Sequence, residues 1–147
     1  MVTARVQARL ARQAVLHRQP EPLELECIID ESVLHRVTGR PEVMAEQLEH
    51  LVTTATTAAV TIGVVPAASS ALHCAAFGSF RLFTVPGAPD PFITCTEDLT
   101  GFNYLDRPEA IEAHAQLFTH LLAVALPPTE SLDLIASLVE QYRRREA

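Results

Sequence analysis

The sequence predicts an α+β fold: about five strands in one mostly antiparallel sheet, covered by helices, in a single domain over residues 1–147. Three observations predict it. Strand-like runs follow one another after residue 78 with no helical segment between them, which favours antiparallel pairing. Segments with helical periodicity stand towards both ends of the chain. At 147 residues, 48% of them hydrophobic, the chain buries a core without needing a disulfide or metal staple.

Residues 2–17 read as a helix with Val2, Val6, Leu10, Ala14 and His17 on one face and Arg5, Arg9 and Arg12 on another. That arginine stripe is either a solvated face, or a contact to a partner or the remnant of a connector. Pro20 and Pro22 break the pattern. From Leu23 to Ile29 the residues alternate as in a strand with one buried face, which makes Cys27 a core residue. Asp30 and Ser32 stand where a short helix through Val33, Leu34 and Arg36 needs an N-cap oxygen, and Gly39 supplies a positive φ to end it. Pro41 suits the first position of the next helix, whose stripe of Met44, Leu48, Leu51, Val52 and Ala55 runs to about Thr57 and is expected to pack on the sheet.

Val60 to Val65 is a β-branched strand stopped by Pro66. Residues 67–78 have no period and read as a mobile flap over a pocket. Phe80–Val85 and Phe92–Glu97 form strands joined by PGAPDP, and Phe102–Leu105 adds a short fifth. A helix over Pro108–Ala125 is expected to bury Ile111, Ala115, Phe118, Leu121 and Leu122. After Pro127 and Pro128, with Thr129 as N-cap, a last helix over Glu130–Arg145 buries Leu134, Ile135, Leu138, Val139 and Tyr142.

A net charge of -7 disfavours a free-standing nucleic-acid binder, because phosphate recognition relies on a positive surface. The apolar runs fall short of the ~18 residues a membrane span needs, and the N-terminus lacks the apolar core of a signal peptide. A cytoplasmic, membrane-free location is expected. Cys27, Cys74 and Cys95 are widely spaced and form no CxxC pair, so neither a disulfide framework nor a zinc site is expected. All eleven basic residues are Arg, which excludes a Schiff-base lysine. No metal-ligand spacing, GxGxxG or phosphate-binding loop is present, and no cofactor is expected.

Glu97 is the foremost candidate for chemistry. It shares a strand face with Ile93 and Cys95, so on a covered face its carboxylate has to be hydrogen-bonded, paired, or protonated as a general acid or base requires. Its alternative is a cap or ion pair at the strand end. His73 and Cys74 on the flap read as ligand-lining groups rather than a nucleophile and its base, since sequence neighbours rarely reach attacking geometry. Cys95 and Tyr104 complete the candidate ligand-binding set; Tyr104 offers a phenol to a carbonyl, although with Phe102 it also reads as core. His17, His114 and His120 read as structural histidines near apolar stripes.

Read in order, RQAVL at 12–16, IIDESVLHR at 28–36, PEVMAEQLEHL at 41–51, VTIGVVP at 60–66, FGSFRLFTVP at 77–86, the strand ending in Glu97 and ALPPTES at 125–131 resemble the DUF5753 family, the C-terminal domain of Scr1-like, antitoxin-like actinobacterial regulators. The resemblance implies an N-terminal helix-turn-helix for DNA binding, which is absent ahead of these motifs, and a small partner protein. In the family a Gly-rich loop precedes a Tyr-x-Glu strand. Here those positions read Ser69 to Cys74 and Cys95-Thr96-Glu97, which implies an altered pocket. Two functions follow as expectations. One is a sensing or regulatory domain that binds a hydrophobic small molecule or a protein partner, with a homodimer among its assemblies and no direct DNA binding. The other is a biosynthetic enzyme, a cyclase, isomerase or dehydratase, with Glu97 as acid or base in an apolar pocket.

Overall fold

The computed structural model describes residues 2–57, 59–69, 78–87, 92–97 and 101–144. Its elements are helix α1 (Val2–Gln13) continued by a 3-10 turn (Ala14–His17), β1 (Leu25–Asp30), α2 (Glu31–His35), α3 (Pro41–Thr57), β2 (Val60–Val65), β3 (Phe80–Thr84), β4 (Phe92–Glu97), β5 (Phe102–Leu105), α4 (Pro108–Val124) and α5 (Pro128–Arg144). They fall into two compact units, Met1–Val64 with Leu126–Ala147, and Val65–Ala125.

The α+β class holds, but the single five-stranded sheet does not form. β1 and β2 make a two-stranded parallel sheet, and β3, β4 and β5 a three-stranded antiparallel one. The parallel pair follows from connectivity: α2 and α3 carry the chain from the end of β1 back to the start of β2, as a βαβ crossover must. The Leu25 N–H donates to the Ala59 carbonyl at 2.9 Å, so alternate residues of β2 turn their backbone groups towards β1 and the others towards the far edge. At that far edge the Val64 N–H donates to Ser131 Oγ at 2.9 Å, and the Val64 carbonyl accepts from the Leu126 N–H at 2.8 Å. The segment entering α5 thus occupies the place where a third strand would pair.

In the first unit, Leu34, Met44, Ala45, Leu48, Ile62, Val64, Ile135, Leu138, Val139 and Tyr142 form one buried cluster. α3 packs chiefly against α5, a helix partner, as well as on the strand residues Ile62 and Val64. Arg143 Nη2 donates to Glu49 Oε2 at 2.7 Å on the exposed rim of that helix pair. Asp30 caps α2 by accepting from the Ser32 N–H at 2.8 Å, as expected from its short acceptor side chain. Gly39 has the expected positive φ of 87°, but it does not end α2, which stops at His35 with Arg36 as its C-cap, and it lies in the link to α3. α5 begins earlier than expected: Pro128 is its first residue, since its fixed φ suits that position, so Thr129 lies inside the helix and is not its cap.

Several expected core residues are not core. Cys27 is half-buried, and burial raises its thiol pKa above the ordinary 9.0. Leu23 and Leu25 are exposed, as are Ala115 and Leu122 on α4, whereas Leu121 is buried. His17 and His120 are exposed as well. His114 does behave as a structural histidine: its Nδ1 lies 2.7 Å from the Ala110 carbonyl, and its ring meets Phe80 edge-on at 5.1 Å.

Candidate functional site

In the second unit, β3 and β4 pair with Phe80 opposite Thr96 and Thr84 opposite Phe92, while β4 and β5 pair with Thr94 opposite Leu105 and Glu97 opposite Phe102. Residues directly opposite share a face. One face therefore carries Phe80, Leu82, Thr94 and Leu105, and α4 packs on that side, where Phe80 meets His114 and Thr94 is fully buried. Among the described residues the Thr94 hydroxyl has no hydrogen-bond partner.

The other face carries Arg81, Phe83, Ile93, Cys95, Glu97, Phe102 and Tyr104. It is largely open: Phe83, Phe102 and Tyr104 are exposed, Tyr104 at 69%. Glu97 thus sits on the open face of the sheet, where the covered-face argument does not apply. Of the three states expected for its carboxylate, pairing is the one observed. Arg81 Nη2 donates to Glu97 Oε2 at 3.0 Å, and the Arg81 guanidinium carbon lies 5.3 Å from the Phe102 ring centroid. Phe102 is the cross-strand neighbour of Glu97, so the cation bridges the acid and the aromatic ring.

Cys95 lies at the middle of this face, opposite Arg81 on one side and Tyr104 on the other. Only 2% of it is exposed, on the central strand of the three. Its Sγ approaches the Thr96 carbonyl at 3.7 Å. The register therefore brings together three predicted site residues, Glu97, Cys95 and Tyr104. His73 and Cys74 lie outside the described residues. Tyr104 and Phe102, which also read as core in the sequence, stand out from the sheet as surface groups.

Sequence reasoning missed Arg81. Its signal was the alternation Phe80-Arg81-Leu82-Phe83, in which a charge at an inner strand position marks that face as the wet one, with Phe83 beside it. The arrangement suits recognition: three exposed aromatic rings supply flat apolar area, and a fixed cation and anion supply orientation. A shallow hollow elsewhere, lined by Glu112, Ala115, Gln116, Thr119, His120 and Ala123, lies along one face of α4 and holds none of the predicted site residues. Among the described residues no cluster of His, Cys, Asp and Glu could hold a metal ion, and no single helix is long and apolar enough to cross a membrane.

The sequence model of DUF5753, a domain of unknown function, matches residues 1–137. No curated protein and no solved structure matches the chain.

Proposed function

The chain belongs to the DUF5753 family, and from that premise we propose that it is a binding domain in a sensing or regulatory role, which takes a hydrophobic small molecule or a small protein partner on the open face of the β3–β4–β5 sheet. The observation that carries this reading is the cluster of exposed Phe83, Phe102 and Tyr104 around the Arg81–Glu97 pair. Exposed aromatic groups gathered on one face mark recognition surfaces more often than chance, because leaving them in water forgoes the free energy of burial. The pair adds direction, since a ligand with a carbonyl or carboxylate finds the Arg81 guanidinium and one with a donor finds Glu97.

The resemblance to antitoxin-like actinobacterial regulators favours a sensing role in the cytoplasm, and the net charge of -7 favours a role without direct contact to duplex DNA. The test is calorimetric titration of the intact chain with a panel of planar hydrophobic acids and amphipathic peptides, repeated with Tyr104→Ala and Arg81→Gln. The expected outcome is binding without turnover, weakened at least tenfold by either change. Binding indifferent to both changes would place the ligand elsewhere, and steady conversion of a panel member would favour a catalytic role.

A further inference from the structure

The two-stranded sheet of the first unit has one closed edge and one open edge. The Leu25 N–H bonds inward, to the Ala59 carbonyl at 2.9 Å. By the alternation of a strand, Cys27 and Ile29 also turn their backbone groups towards β2, and the N–H and C=O groups of Glu26 and Ile28 point out of the sheet. Among the described residues these outward groups have no hydrogen-bond partner. On the far edge, by contrast, the outward groups of Val64 are filled by Ser131 and Leu126.

The side chains beside the open edge are sorted by charge. Leu25, Cys27 and Ile29 share one face, where Ile29 packs against the buried cluster and Leu25 remains 40% exposed. Glu26, with Glu24 just ahead of the strand, stands on the other face, and both are exposed. Residues 21–31 hold five acids, Glu21, Glu24, Glu26, Asp30 and Glu31, and no base. Asp30 caps Ser32 and Glu31 meets His35, whereas Glu24 and Glu26 join no ion pair among the described residues. Neither Arg18, which donates to the Glu21 carbonyl at 3.0 Å, nor Arg36 is paired with them. Thr61 and Gly63, on the same face of β2, are uncharged.

We propose that the β1 edge takes an extended basic segment of a partner protein as a third, antiparallel strand. Antiparallel addition exchanges two hydrogen bonds at each of Glu26 and Ile28, which fills every outward group of the edge between them. Opposite residues share a face, so the segment sets basic residues opposite Glu24 and Glu26 and apolar ones opposite Leu25, Cys27 and Ile28. Along the partner the pattern runs apolar, apolar, basic, apolar, basic. The same charges reject a second copy: two β1 edges paired about Cys27 set Glu24 opposite Asp30, and paired about Glu26 they set that acid against itself.

This edge lies in the first unit and does not depend on the proposed site on the β3–β4–β5 sheet. The experiment titrates the intact chain with the blocked peptide acetyl-Ser-Val-Val-Lys-Val-Lys-Ser-amide, read by calorimetry and by amide hydrogen exchange. Binding is expected, with exchange at Glu26 and Ile28 slowed at least tenfold and little change at Cys27 and Ile29, which already bond to β2. N-methylation of the first lysine, whose N–H faces Glu26, weakens binding at least tenfold. N-methylation of the valine between the lysines, whose N–H points away, leaves it within about twofold, a comparison at equal composition and charge. Replacing both lysines by glutamate, or Glu24 and Glu26 together by Gln, costs at least fivefold, and Tyr104→Ala changes nothing. Absence of binding overturns the proposal, as does equal binding of the two methylated peptides or unchanged exchange at Glu26 and Ile28. Protection of those two amides by dimerisation of the chain alone also overturns it, and would assign the edge to a second copy.

Discussion

The Tyr142 hydroxyl donates to the Leu34 carbonyl at 3.0 Å, a buried hydrogen bond between residues 108 apart in sequence. It joins α5 to the end of α2 and fills the backbone acceptor that a short helix leaves open. Tyr142→Phe removes the donor without changing the ring, so the Leu34 carbonyl loses this partner. A loss of about 1 to 3 kcal/mol is expected in urea melts, and an unchanged midpoint would show that water replaces the hydroxyl.

Ser131 is fully buried and its hydroxyl serves two backbone groups, accepting from the Val64 N–H at 2.9 Å and donating to the Leu126 carbonyl at 3.0 Å. Ser131→Ala leaves both without this partner. The expected destabilisation is about 2 to 4 kcal/mol, larger than for Tyr142→Phe because two backbone groups, the buried Val64 N–H and the partly buried Leu126 carbonyl, lose a partner at once. Ser131→Thr keeps the hydroxyl, and comparing the two variants by calorimetric melting separates the lost hydrogen bonds from side-chain packing.

Leu48 is 2% exposed at the centre of the cluster between α3 and α5. Leu48→Ala should cost about 2 to 5 kcal/mol through lost burial and the cavity left behind. A loss below about 1 kcal/mol would show that the two helices close over the gap.

Most of this core was legible from periodicity. Met44, Leu48 and Leu51 on α3, and Ile135, Leu138, Val139 and Tyr142 on α5, recur at the spacing of one helix face, and a buried stripe leaves that trace in any single sequence. The sheet was less legible. Strand patterning reports that a segment is extended, but says little about which segments pair, and the closing of the β2 edge by Ser131 depends on contacts 67 residues apart. The site was legible in part. Glu97 and Cys95 were found because they alternate on one strand, but whether that face was covered depended on which side α4 packs. Arg81 was missed because its partner Glu97 lies on another strand, 16 residues away.

The Arg81–Glu97 pair is exposed on both sides, so it contributes little to stability: Glu97→Gln should shift the unfolding free energy by less than about 0.5 kcal/mol. Ligand affinity is where the change should register, with at least a fivefold loss in calorimetric titration of any ligand that engages the pair. Full affinity in the variant would remove Glu97 from recognition. A large drop in melting temperature would make its role structural.

Burial raises the Cys27 thiol pKa, and a sign follows for stability at high pH. The folded state holds the proton more tightly than the unfolded chain, so the contribution is complete below 9.0 and is lost as the pH climbs towards the folded value. Urea midpoints measured from pH 8 to 10.5 should therefore fall more steeply for the wild type than for Cys27→Ala. Identical slopes would show that the thiol does not take part.

The first unit is assembled from both ends of the chain, with α5 completing a core that begins at Leu34, while residues 65–125 form a continuous stretch between them. During synthesis the antiparallel sheet and α4 emerge as one uninterrupted piece and are free to fold as soon as they clear the ribosome. The core around Leu48 cannot close until α5 follows. Throughout that interval β2 has no Ser131 or Leu126 on its far edge, so a nascent or C-terminally cleaved chain presents the open strand VTIGVV, a template for cross-chain pairing and a target for chaperones.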